Sequence, residues 1–140
     1  MKRIVVCTHG SFGEEIIKSA EMIIGPMENV DVFSLKPGRD PFEYREEIRE
    51  FLDNHLEDEF LCFVDLFGGT PSNTLAALSN RENFEIISGL NLAMLIEVYS
   101  QREFKTLEEL KQLAFETYNN ACKDVKAELF NRLKRKEVEA

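Results

Sequence analysis

The runs "KRIVVCT" and "EFLCFVDL" are short, continuously apolar and rich in β-branched and aromatic residues. A strand with one face in water alternates polar with apolar side chains. One that stays apolar throughout is covered on both faces, which in practice means a parallel sheet flanked by helices. "VDVFSL" and "FEIISG" are weaker runs of the same kind.

Helical patterns separate these runs. The first spans about residues 12–24, with Ile16, Ile17, Ala20, Ile23 and Ile24 as its expected buried stripe, and Gly25 and Pro26 end it. A second opens at "RDPFEYREEI", where Asp40 suits the cap and Pro41 the first helical position, with Tyr44, Ile48, Phe51 and Leu52 facing inward. A short helix is expected through "LAALSN", another after Asn91 as cap, and a last one from Thr106, which stands at capping-box spacing from Glu109. "DVKAELF" fits either a strand, which could be exchanged between subunits, or a continued helical stripe; helix is the expectation.

Alternating strands and helices with short links predict an α/β fold: a three-layer sandwich with a mainly parallel central sheet and helices on both faces. The 140 residues fit one domain, 1–140, with a charged tail from about residue 131. The net charge of −9 argues against a nucleic-acid partner. The basic "RLKRK" is flanked by acids and reads as a solvated terminus. The opening "MKRIVV" is far too short in apolar residues for a signal peptide, and no run approaches membrane-spanning length. Three cysteines, Cys7, Cys62 and Cys122, lack C-x-x-C spacing. These features place the protein in the cytoplasm, where thiols stay reduced.

Ligands of open parallel sheets bind beyond the carboxyl ends of the strands, where connections leave to opposite faces. "CTHG" ends the first strand and "VDLFGG" the third, and in the flavodoxin-like order these strands are neighbours. Asp65 can then accept a hydrogen bond from one ring nitrogen of His9, fixing the tautomer and leaving the other nitrogen's lone pair outward as a nucleophile. The turns "GSFG" and "FGGTPSN" each lead into a helix whose free amides can face an anion. The natural electrophile is a phosphoryl group.

Spacing removes competing chemistries. A Cys-x5-Arg phosphatase loop starting at Cys7 would need arginine where Gly13 stands, and no G-x-x-x-x-G-K-[ST] occurs. No further His or Cys ligands accompany His9, so no metal and no cofactor are expected. A flavin-binding electron carrier stays open, because Thr8 and Ser11 supply hydroxyls at the first turn. His55, among acids at a helix end, reads as a surface residue.

"THGSFGEEIIKSAEMIIG", "FVDLFGGTPSNTLA" and "ISGLNLAMLIE" together resemble the IIA component of the mannose family of the bacterial phosphoenolpyruvate-dependent sugar phosphotransferase system, over about residues 1–120. The resemblance implies a carrier that accepts a phosphoryl group from phospho-HPr and passes it to a separate IIB component, serving the membrane IIC and IID components indirectly. It implies phosphorylation of His9, with Asp65 bonded to the imidazole. Ser11, Phe12, Phe67, Gly68, Gly69 and Thr70 would cradle the phosphoryl group. It also implies a homodimer, for which the crowded apolar stretch "GLNLAMLIEVYS" is the expected contact.

Two positions depart from the family pattern: Ala93 stands where proline usually precedes "ML", and Gly13 where alanine is common. A dihydroxyacetone kinase phosphocarrier domain is the alternative within the same chemistry.

Overall fold

Each apolar run forms a strand and each periodic stretch a helix in the computed structural model, which describes residues 1–139. In chain order these are β1 (Lys2–His9), α1 (Phe12–Ile24), β2 (Val30–Leu35), α2 (Pro41–Asp53), β3 (Glu59–Val64), α3 (Thr70–Ala77), β4 (Phe84–Ile87), α4 (Leu92–Gln101), α5 (Leu107–Ala121) and α6 (Val125–Glu139). The strands make one sheet in the order β2-β1-β3-β4, and every pairing is parallel. The architecture is the expected flavodoxin-like α/β sandwich.

Alternation along the central strands builds two cores. Ile4 and Val6 of β1 and Leu61 and Phe63 of β3 face Ala20 of α1, Met94, Leu95 and Val98 of α4, and Leu110 and Ala114 of α5. Val5, Cys7, Cys62 and Val64 face the other way, against Tyr44, Ile48 and Leu52 of α2 and Leu75 of α3. Burial pushes the Cys7 thiol up to about 12 and the Cys62 thiol well above its ordinary value, so both act as small apolar side chains. Tyr44 stays satisfied inside its core by donating to the Phe33 carbonyl at 2.7 Å.

The helix ends follow their local chemistry. Asp40 accepts from the Phe42 amide and Asn91 from the Met94 amide, and Thr106 with Glu109 forms a full capping box. Arg102, buried at the end of α4, donates to the Glu28 carbonyl at 2.8 Å and so fastens the α1–β2 turn.

Several expectations need correction. On α1, Ala20 is fully buried, Ile16, Ile17 and Ile24 are half-buried, and Ile23 is exposed. At about 100° per residue, Ile23 lies some 70° from the centre of the buried stripe. Helix α3 begins at Thr70, ahead of "LAALSN", because Pro71 has its φ preset for a first helical turn. The ambiguous "DVKAELF" is helical from Val125, as expected, and the segment from about 131 continues the same helix α6, exposed from Val125 to Val138. Met94, Leu95 and Val98 fill this chain's own core, since α4 packs against both α1 and α5.

Candidate functional site

β1 and β3 lie side by side, with Cys7 opposite Val64, but their chains leave the sheet in opposite directions: β1 enters α1 on one face and β3 enters α3 on the other. The crevice between those exits is where His9, the last residue of β1, meets Asp65, the first residue after β3.

Asp65 Oδ2 lies 2.8 Å from His9 Nδ1 and also accepts the His9 backbone N–H at 3.0 Å, while Oδ1 accepts the Leu66 N–H at 3.0 Å. Burial alone would raise the Asp65 carboxyl, but the bonds from the His9 amide and imidazole, helped by the Leu66 amide, outweigh it and hold the group below its ordinary value. An ionised carboxylate can only accept, so the proton of the shared bond sits on Nδ1, and in the neutral ring that leaves the lone pair on Nε2. Asp65 is 14% exposed and the His9 side chain 45%, so the anchor is shielded while the ring is open.

The opening beside the ring depends on Gly69. A Cβ there would lie 2.8 Å from His9 Cε1 and 3.4 Å from Nε2. Gly69 has φ −82, which any residue adopts, so close approach and not backbone strain calls for glycine. Gly68 does have a left-handed φ of +87, which turns the chain from Phe67 towards α3. Asn73 donates to the Gly68 carbonyl at 3.2 Å and holds that turn.

Across the crevice, Gly10 at φ +56 turns β1 into α1. The buried Thr8 hydroxyl accepts the Gly13 N–H at 2.8 Å and so does the capping of α1, in place of Ser11 at the N-cap position. That inward use of Thr8 leaves Ser11 as the exposed hydroxyl of the pair considered for a flavin phosphate.

The structure thus brings His9, Asp65 and Gly69 into contact, with Ser11 and Phe12 on one turn and Phe67, Gly68 and Thr70 on the other. Phe12, Leu66 and Phe67, on the two turns, are exposed apolar residues, Phe67 at 87%. His55 lies elsewhere, half-buried after α2, its Nδ1 2.8 Å from the Phe51 carbonyl and its ring tilted by 40° against that of Phe51. Sequence reasoning passed over Lys36, whose ammonium reaches Ser11 Oγ at 2.7 Å. No group of three or more His, Cys, Asp or Glu side chains able to hold a metal occurs among the described residues, nor does a helix long and apolar enough to cross a membrane.

Known proteins resemble this chain in sequence and fold. The family model described as "PTS system fructose IIA component" matches residues 3–115. The chain is 34% identical over 127 residues to the "PTS system mannose-specific EIIAB component" of Escherichia coli (strain K12), covering 89% of this chain but 39% of that protein. It therefore spans about two fifths of the length of that relative. It is 32% identical over 112 residues to the "PTS system fructose-specific EIIA component" of Bacillus subtilis (strain 168), covering 79% of this chain and 77% of the relative. Among solved structures, phosphotransferase system component EIIA from Streptococcus agalactiae superposes with a TM-score of 0.83 at 29% identity, covering 91% of this chain and 99% of the other. The chain belongs to the mannose family of phosphotransferase-system IIA components.

Proposed function

We propose that this chain is a cytoplasmic phosphocarrier that accepts a phosphoryl group on His9 Nε2 from phospho-HPr and passes it to a IIB component, serving sugar uptake through membrane IIC and IID components. The observation that carries this reading is the double acceptance by Asp65 Oδ2 of the His9 amide and the Nδ1 proton, with Nε2 left on the glycine-walled side. The Nε2 lone pair attacks phosphorus, and the P–Nε2 bond forms as the bond from phosphorus to the donor's leaving atom breaks. The ring then carries positive charge, which the Asp65 carboxylate stabilises through Nδ1–H. In the second step IIB attacks the same phosphorus and His9 returns to its neutral tautomer.

The backbone groups of Phe12, Phe67, Gly68 and Gly69, with the Ser11 and Thr70 hydroxyls, are the proposed cradle for the phosphoryl oxygens, helped by the positive ends of α1 and α3. We further propose that the protein works as a homodimer. The test of the carrier reading is incubation with phosphoenolpyruvate, Enzyme I and HPr. The parent protein gains one phosphoryl mass as an acid-labile, alkali-stable phosphohistidine, and His9→Ala gains none; a His9→Ala variant that still takes up the mass overturns the assignment.

A further inference from the structure

Ser11 occupies the N-cap position of α1, yet its side chain makes no capping bond; the Thr8 hydroxyl does that work from below. The Ser11 hydroxyl instead receives the Lys36 ammonium at 2.7 Å. Lys36 follows β2 directly, and the register that puts Leu35 beside His9 brings it to the first turn of the site. The Gly10 amide bonds the Leu35 carbonyl at 2.9 Å and closes the gap between the two chain segments.

Lys36 is itself held in place. Its Nζ lies 3.3 Å from both carboxylate oxygens of Glu14, and Glu14 accepts the Ser34 hydroxyl at 2.8 Å. The Ser34 bond first, and Lys36 after it, keep the Glu14 carboxyl below its ordinary value. The result is a chain of contacts from β2 through α1 to a hydroxyl two residues beyond His9. An ammonium has protons to give and no lone pair to receive one, so a serine bonded to it must use its oxygen as acceptor. The serine's own proton is then free, and polarisation by the cation makes it a stronger donor.

We propose, building on the phosphocarrier reading above, that Lys36 is a positioning residue of the phosphoryl pocket: it holds Ser11 Oγ as an acceptor so that the serine O–H donates to a phosphoryl oxygen on His9. A phosphoryl group brings a charge of roughly −1.5 to −2 to the crevice. Lys36 acts on that charge through the serine O–H that it strengthens as a donor. A purely structural lysine would tie β2 to α1 but leave the phosphorylated form no different in stability.

Four variants test this: Lys36→Met, Lys36→Arg, Ser11→Ala and the double variant Ser11→Ala/Lys36→Met, each loaded from phosphoenolpyruvate through Enzyme I and HPr. Lys36→Met and Ser11→Ala should each slow loading about tenfold, as loss of one charge-assisted hydrogen bond would. Lys36→Arg should recover most of the rate, and the double variant should be little slower than Ser11→Ala alone. In the phosphorus NMR spectrum of the phosphorylated protein, Lys36→Met should raise the pH at which the phosphoryl group takes up its proton. Parent-rate loading by either Lys36→Met or Ser11→Ala overturns the proposal, as do multiplicative losses in the double variant. Should Lys36→Met fail to fold, Ser11→Ala and Lys36→Arg decide by the same rates. A parent protein that takes no phosphoryl group on His9 defeats the carrier reading itself, a result distinct from a loaded parent with indifferent variants.

Discussion

Gly69 and His9 are in contact so close that a single methyl group on the glycine would lie 2.8 Å from His9 Cε1. The same methyl would stand 3.2 Å from Leu66 Cδ1, so the ring has to move.

Gly69→Ala separates site geometry from folding. Its backbone angle of φ −82 suits alanine, so the fold survives and the unfolding midpoint stays close to the parent's. The displaced imidazole no longer presents Nε2 correctly, and misplacement on the scale of 1 Å costs about 10²-fold in rate. Loading kinetics and thermal denaturation on the same preparation check this. Parent-rate transfer would mean that Gly69 does not border the reacting nitrogen.

Asp65→Asn removes the charge while keeping the shape. An amide can present either its oxygen or its NH2 to the ring, so the Nδ1–H tautomer is no longer enforced and loading should slow by at least about tenfold. The parent carboxyl also contributes to stability through its lowered folded value. That contribution is complete above the unfolded value of about 3.9 and is lost as pH falls through the folded value. The advantage of the parent over Asp65→Asn in thermal midpoint should therefore hold at neutral pH and shrink as pH falls from about 5 towards 2. A constant difference across that range would show that the charge does not act in folding.

Thr8→Val probes the cap that Ser11 does not provide. Thr8 is fully buried, and its hydroxyl is the partner of the Gly13 N–H. Valine matches the shape but leaves a buried amide unpaired, which costs about 1–2 kcal/mol. Urea unfolding with an unchanged slope and a lower midpoint is the expected result. No change in midpoint would mean that water or a shift of α1 satisfies the amide.

What the sequence disclosed and what it hid divide along the range of the interactions. Asp40, Asn91 and Thr106 were readable as caps because a cap needs only the residue and the next three. His9 and Asp65 were readable as a pair because both close apolar runs and parallel neighbours end at one edge. Lys36 was not, since a lysine before Pro37 is ordinary at the surface and gains meaning only from the register of Leu35 against His9. For the stretch "GLNLAMLIEVYS" the fold supplies a covering that the sequence does not show. Its apolar excess suggested an outside partner, but α4 is covered by the sheet, α1 and α5 together, and a helix enclosed on several sides is apolar on several faces.

That burial moves the search for a subunit contact. Substituting Met94 or Leu95, both essentially inaccessible, would unfold the chain before it informed on assembly. Several of the apolar side chains left in water lie towards the end of the chain: Phe115 and Tyr118 on α5, and Val125, Leu129, Phe130 and Leu133 on α6. On α6, Val125, Leu129 and Leu133 recur every fourth residue and form one stripe, with Phe130 at its border. Leu129, Phe130 and Leu133 stay 56%, 55% and 48% exposed, so much of that stripe faces water. Apolar area removed from water contributes roughly 25 cal/mol per Å², which favours covering such a stripe once association costs are met. If the protein is the proposed homodimer, light scattering at micromolar concentration gives twice the chain mass, and Leu129→Glu with Leu133→Glu returns the monomer while circular dichroism stays native. A monomeric parent defeats the dimer. A dimer indifferent to both substitutions keeps the assembly but places its contact away from α6.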